Sequence, residues 1–232
     1  MPFFNYDDLI KLQLRRLKKK HINMVEIGAF DGVYLQQYVD WYRGITIHAI
    51  EPCKRNYSAL ERRYRKCRQV HPVNCAISSK EGKRDLFIVD HPKYEGTKSS
   101  QSNSLYKSFA QSKKSSKTRV EQVETLTLKH FCARYKIELL DLLKCNCEGG
   151  EYDIFTDTQA TVDILSRTNI IDIVIHGKSP LFIEEKYRRK KREINALLKD
   201  LGFVILVGPD LQTIKKLPYY HIRQVWTRDK LK

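Results

Sequence analysis

The chain is expected to be α/β, with a doubly wound, mostly parallel sheet covered by helices on both faces. Three observations lead there. Apolar runs alternate with helix-periodic stretches along most of the 232 residues, as in a parallel sheet joined by crossover helices. The first run, Asn23-Met24-Val25-Glu26-Ile27, enters a turn with glycines at Gly28 and Gly32. The second, 45–50, stops at an acid, Glu51. A glycine-rich first turn lets backbone approach a nucleotide-like ligand, and an acid at the tip of the next strand can hold both ribose hydroxyls. Without a ligand, the same glycines make an ordinary tight strand–helix turn.

Taken in order, the spacing predicts a helix over 7–20, with Leu9, Ile10, Leu14 and Leu17 on one face and a basic last turn suited to the helix dipole. A strand follows over 22–28, a helix over 34–42, the second strand over 45–50 and a helix over 55–66. Strands are expected at 70–77 and 85–89. Residues 91–117 are rich in Ser, Lys and Gly without periodicity, longer than an ordinary connection and therefore functional or disordered. A helix over 126–135 leads to a strand over 139–146. A strand over 170–176, a basic helix over 181–201, and strands over 203–207 and 221–227 complete the sheet, the last two as its antiparallel end. No internal repeat is present.

At this length a single domain over 1–232 is expected. It divides into an N-terminal basic helix (1–21), a cofactor half (22–90), a Ser/Lys-rich loop (91–119) and a substrate half (120–232). The hydrophobic fraction of 41%, with 13 Tyr and 9 Phe, supports a packed core. No apolar run reaches the length of a membrane span, and the start of the chain lacks a signal-peptide core. The expected location is cytoplasmic. Six cysteines without a Cys-x-x-Cys pair read as buried reduced thiols, which suits a reducing compartment. Cys145 and Cys147 would share one strand face, but no second pair at zinc spacing accompanies them, so no metal site is expected. Against 27 acidic residues stand 43 basic ones, a formal +16. Such a field attracts polyanions, nucleic acid among them, and also serves solubility or an acidic partner. The oligomeric state is open.

The nucleotide can be narrowed. A dinucleotide fingerprint needs Gly-x-Gly-x-x-Gly, whereas Phe30 and Asp31 follow Gly28-Ala29. A bulky ring and an acid suit a pyrophosphate poorly. They suit S-adenosylmethionine, which carries a sulfonium cation and an amino-acid tail. Glu26, Gly28, Ala29, Phe30, Asp31 and Gly32 would surround the methionine part. Glu51 and Pro52 would meet the ribose, and Asn74, Cys75 and Ala76 the adenine.

Further along, Leu142-Leu143-Lys144-Cys145-Asn146-Cys147-Glu148-Gly149-Gly150-Glu151 resembles the Lys-Ile-Asp-Val-Glu-Gly-x-Glu signature of the FkbM family of methyltransferases. Val123-Glu124-Thr125-Leu126-Thr127 resembles that family's Val-x-Thr-Leu-Asp. Asn74-Cys75-Ala76-Ile77-Ser78 resembles its third-strand segment, and Asn103-Ser104-Leu105 its serine-leucine stretch. The match runs from about 23 to 155 with a weaker tail. It implies a Rossmann-like class I methyltransferase fold with a seven-stranded sheet, and O-methylation of a hydroxyl acceptor such as a sugar or polyketide-type molecule. It also implies that the loop over 91–117 borders the substrate side, as a lid or as a passive connection.

Methyl transfer from a sulfonium is an in-line displacement, so the protein must align the acceptor and, for a hydroxyl, remove a proton. Lys144, Asn146, Glu148 and His176 are the polar catalytic candidates at the fourth and fifth strand ends, with Glu151 beside them. Glu148 or His176 would take a proton. Lys144 would hold an acceptor oxygen or form a structural ion pair with Glu148 or Glu151, and His176 is equally an ordinary strand-end histidine. Asn146 stands where the family signature has Asp, and an amide cannot act as a carboxylate base. The clusters at 11–20, 55–68, 113–119 and 186–192 suggest nucleic acid, with Tyr187, Tyr219 and Tyr220 able to stack bases. The Lys-Asp-Lys-Glu tetrad of RNA ribose methyltransferases is not reproduced: Lys178 would serve as its second lysine, but 221–227 offers no glutamate. The alternatives are therefore an atypical RNA methyltransferase and a basic RNA-binding protein on a methyltransferase fold whose catalysis has been lost.

Overall fold

The computed structural model describes residues 5–90, 102–111, 117–155, 158–176, 185–207 and 222–228. In chain order the elements are α1 (Tyr6–Arg16), β1 (Ile22–Ile27), α2 (Gln36–Trp41), β2 (Ile45–Ile50), α3 (Lys54–Tyr64), β3 (Val70–Val73), β4 (Ala76–Ile77), β5 (Gly82–Asp90) and α4 (Lys107–Gln111). There follow β6 (Lys117–Leu126), α5 (Leu128–Arg134), β7 (Leu140–Cys145), α6 (Glu151–Ile154), α7 (Thr158–Leu165), β8 (Thr168–Ile175), α8 (Glu185–Asp200), β9 (Phe203–Val207) and β10 (Ile222–Arg228). Seven strands form one sheet in the order β3-β2-β1-β7-β8-β10-β9. The first five run parallel, and β10 is antiparallel to both β8 and β9. The expected fold class holds, including its antiparallel end.

Strand β1 shows why both faces are covered. Met24 belongs to one apolar cluster with Ile10 and Leu14 of α1, Tyr38 of α2 and Leu60 of α3. Its neighbour Val25 belongs to another, with Phe131 of α5, Ile164 of α7 and Leu198 of α8. Successive side chains on a strand point to opposite faces, so a continuous apolar run requires helices on both.

Two expectations need correction. The strand expected at 70–77 is two strands in different sheets. β3 pairs with β2, whereas β4 pairs with β6. Between them the Asn74 amide donates to the carbonyls of Glu51 and Pro52, which turns the chain out of the first sheet. Pro72 is tolerated because β3 is an edge. The second sheet, β4-β6-β5, was not foreseen. Its long strand β6 is exposed over 118–120 and buries Val123, Thr125 and Leu126, and it pairs antiparallel with β5 from Gly82↔Thr125 to Asp90↔Lys117.

Within the segment expected to be a lid or a passive connection, residues 102–111 are held. Ser104 and Phe87 exchange backbone hydrogen bonds of 2.8 and 3.1 Å. The Asn103 side chain accepts from Val89 N–H, α4 is helical, and Phe109 is buried. The rest of that segment up to β6 lies outside the described residues. So do Lys178, Tyr219, Tyr220, the side chain of Tyr187, and much of the 113–119 and 186–192 clusters. Among the described residues no helix is long and apolar enough to cross a membrane.

Candidate active site

The turn after β1 depends on glycine at two positions. Gly28 has φ +84°, and a Cβ there would lie 2.0 Å from the Asn146 carbonyl oxygen. Only glycine lets this turn pass the one after β7, where Asn146 N–H donates to the Ile27 carbonyl. Gly32 has φ +75°, and its Cβ would meet Leu60 of α3 at 2.5 Å. Between them Phe30 holds φ +56°, a costly conformation for a residue with a side chain. That conformation aims Phe30 N–H at Glu51 Oε2, 3.0 Å away. Cys53 N–H donates to Glu51 Oε1 at 3.0 Å, with the Asn56 amide at 3.4 Å. Burial pushes the Glu51 carboxyl up to about 7 against the pull of these donors.

Above these strand ends opens a cavity of about 370 Å³, within the range of cofactor sites. Glu26, Gly28, Ala29, Phe30, Glu51, Pro52 and Ala76 line it, as do Lys144, Asn146 and Glu148. Five residues singled out from sequence do not. Asp31 turns away to cap Val33 N–H and to face Arg63 of α3. Gly32 packs against α3, Asn74 braces the turn after β2, and Cys75 is buried. His176 lies behind the cavity wall, 2% exposed.

Sequence reasoning missed Tyr34, Asn56, Ile77, Leu86, Ser102 and Cys147 on the lining. Leu86 comes from the unforeseen second sheet, which supplies an apolar wall together with Ile77 and Leu105. The stretch Asn103-Ser104-Leu105 did carry a signal: it was one of the matching motifs, and Asn103 and Leu105 line the cavity.

Lys144 pairs with Glu26, not with Glu148 or Glu151. Parallel pairing of β1 and β7 places the two side by side, with Nζ 2.5 Å from Glu26 Oε1. The next register neighbour of Lys144, on β8, is Asp172. Asp172 bonds Arg223 of β10 at 2.8 Å, and Arg223 reaches Asp7 of α1 at 2.6 Å. Glu26, Lys144, Asp172, Arg223 and Asp7 thus form a largely buried row of alternating charge across the sheet. Burial works to lower the Lys144 pKa, but Glu26 and Asp172 raise it above its ordinary value, so Lys144 is a cation. At the cavity end Glu26 Oε2 is buried and has no hydrogen-bond partner among the described residues.

Behind Glu148 lies a second set of charges. Glu148, at φ +49°, has Oε1 3.5 Å from His176 Nε2. His176 Nδ1 lies 3.0 Å from Glu151 Oε1, which also accepts His176 N–H at 2.7 Å. The other Glu151 oxygen accepts Gly149 N–H. Burial works to lower the His176 pKa, but the two glutamates outweigh it and hold it at about 10. His176 is therefore an imidazolium at neutral pH, and its ring ties Glu148 to the buried Glu151. Beyond the end of β7, Cys147 Sγ comes within 3.5 Å of Cys145 Sγ. The hydrogen bond with the Cys145 thiol, and then burial, hold the Cys147 pKa well above its ordinary value. No group of three His, Cys, Asp or Glu side chains among the described residues is placed to hold a metal ion.

A family described as Methyltransferase FkbM domain matches residues 26–205. Among solved structures the chain is similar to the Methanococcus jannaschii fibrillarin pre-rRNA processing protein, with 12% identity and a TM-score of 0.51 over 91% of this chain and 68% of that one. Aeropyrum pernix fibrillarin in complex with natively bound S-adenosyl-L-methionine is similar at 13% identity and a TM-score of 0.44, over 94% and 74%. These likenesses are of fold. None of the curated proteins matches the chain in sequence.

Proposed function

The chain belongs to the FkbM methyltransferase family, and from that premise we propose that it transfers the methyl group of S-adenosylmethionine to the oxygen of a hydroxyl acceptor. The residues present fit this cofactor. Glu26 Oε2, buried without a partner, suits the ammonium of the methionine tail. Glu51, positioned by main-chain donors, suits the ribose hydroxyls, and Ala76, Ile77 and Leu86 suit the adenine face. When bound, the cofactor supplies an electrophilic methyl carbon, so the chain's own task is alignment and proton removal. On this reading residues 22–90 belong to the cofactor half and 120–232 to the acceptor half of one domain.

One observation carries the hydroxyl reading. Glu148 is the most exposed of the three cavity glutamates, and it follows β7, on the other side of β1 from β2, which Glu51 follows. It takes the acceptor proton at a carboxylate oxygen. His176 and Glu151 do not touch the acceptor; they hold Glu148 ionised and oriented. Lys144, committed to Glu26, keeps that acid charged beneath the cofactor's tail.

The test begins with calorimetric titration of S-adenosylmethionine. Labelled-methyl transfer to sugars, polyketide-type alcohols and RNA follows. Glu148→Gln is expected to bind the cofactor as wild type does and to lose transfer by about a hundredfold or more. Unchanged transfer would remove Glu148 from its role, and full methylation by Glu51→Ala would overturn the cofactor assignment. Asn146, exposed in the cavity where the family signature has an acid, supports a second reading: a binding protein with altered catalysis. Cofactor binding without transfer to any acceptor would favour it.

A further inference from the structure

A second concavity, of about 470 Å³, lies at the β3 edge of the large sheet and shares no lining residue with the cofactor cavity. Its floor is aromatic. His48 and His71 are register neighbours on β2 and β3, and their rings stack with centroids 5.4 Å apart and planes 28° from parallel. Tyr135, which caps α5, lies 5.3 Å from His48 and 4.7 Å from Phe131. Burial and the neighbouring His71 lower the His48 pKa to about 4, so its ring is neutral at physiological pH. The rim is cationic. Arg65 and Arg68 line it and are exposed, and Arg62 and Lys66 are exposed in the same stretch. Glu61 is the one acid on the lining, and it accepts a hydrogen bond from the Tyr57 hydroxyl.

We infer that this groove binds single-stranded nucleic acid, with one base stacked on Tyr135, a neighbouring base against the His48–His71 pair, and the adjoining phosphates on Arg65 and Arg68. Ring faces and guanidinium groups side by side match a nucleotide's two chemistries, an apolar π face and an anionic linker. A paired base has its faces covered by its neighbours in the stack, so the floor selects unpaired segments. An acidic peptide would satisfy the arginines and leave the rings without a partner. The inference does not rest on the methyl-transfer reading, because binding here needs neither the cofactor nor Glu148.

The test is fluorescence anisotropy with a labelled single-stranded RNA of about 12 nucleotides, a length matched to known single-strand site sizes. It is run without cofactor and across a salt series. Wild type is expected to bind with a steep salt dependence, and single-stranded DNA of the same sequence to bind comparably. The double variant Arg65→Ala/Arg68→Ala is expected to lose affinity about tenfold and to lower the salt slope by about 1.4, roughly 0.7 per phosphate contact in single strands. Tyr135→Leu keeps apolar bulk against Phe131 but removes the stacking face. It is expected to lose about fivefold or more in affinity with the slope unchanged. His71→Ala, at an exposed edge position, reads the same stack if Tyr135→Leu fails to fold. Equal binding of a perfect duplex, equal competition by polyglutamate, or wild-type affinity in the arginine or the stacking variants would overturn the assignment. Cofactor titration of each variant is expected to match wild type, which separates failure here from failure of the catalytic reading.

Discussion

The two sides of the cavity hold their acids in opposite ways. On the β1–β2 wall, Glu51 is positioned by the main-chain N–H groups of Phe30 and Cys53. On the other side, where β1 meets β7, Glu26 is held by Lys144, and Glu148 by His176 and through it Glu151. Main-chain donors come with the turn and cannot be protonated away. Side-chain cations must be supplied from other strands, 118 positions away for Lys144 and Glu26. The first wall is therefore built by local conformation and the second by long-range pairing. They should fail differently.

The largest expected effect is on the paired wall. Glu26→Ala leaves Lys144 as a buried cation with its nearest counter-charge removed, and should cost about 3–5 kcal/mol. Urea unfolding measures it, and Glu26→Leu/Lys144→Met should recover most of the loss. A small loss in the single variant would mean that Asp172 suffices as partner. On the conformational wall, Gly28→Ala forces a Cβ against the Asn146 carbonyl at positive φ, with an expected cost of about 3 kcal/mol from strain and overpacking together. The same variant should also lose cofactor binding, read by calorimetry.

Titration sharpens the contrast further. His176 has its pKa raised from 6.5 to about 10. The folded state therefore binds more protons than the unfolded chain over that window. The stability from its two glutamates is complete below pH 6.5 and is lost as pH rises towards 10. His176→Gln should flatten that decline in melting temperature. Glu51 also has a raised pKa, from 4.5 to about 7, so its contribution to stability falls as pH rises from 4.5 to 7 and is level above. Cofactor affinity should move the other way, strengthening as Glu51 ionises through about pH 7. Glu51→Gln should abolish both slopes. The smallest effect is expected for Asn146→Asp, an exposed position, where the melting free energy should change by less than about 0.5 kcal/mol.

This contrast also explains what could be read from the chain before its structure. Gly28, Phe30 and Glu51 sit in recognisable strings at the ends of two adjacent strands, although Gly28 is demanded by Asn146 and Phe30 donates to Glu51 21 positions on. The lysine of the β7 motif was equally visible, but its partner was not. The sequence suggested Glu148 or Glu151, whereas the pairing of β7 with β1 decided on Glu26. Asp31 and Gly32 looked like ligand residues because they adjoin Gly28, yet α3 claims both. The second sheet escaped notice because β4 is only two residues long and β6 is a half-exposed strand with many charges. Its wall of the cavity, through Leu86, went unseen with it.

The charged row across the sheet begins at Asp7, in the first described helix, and ends at Glu26 in the cavity. Three acids alternate with two bases, so the row carries one uncompensated negative charge, and its open end faces the cavity. Helix α1 is thus more than a cover for the apolar face. A shortened protein that begins at His21 would keep every residue lining the cavity and still lose the far terminal charge of the row. Arg223 would then pair with Asp172 alone, Asp172 would have less to offer Lys144, and the attraction of the cavity floor for a cation would change from a distance. In this fold the boundary of the unit that carries the cavity is electrical as well as steric, and it runs back to Asp7.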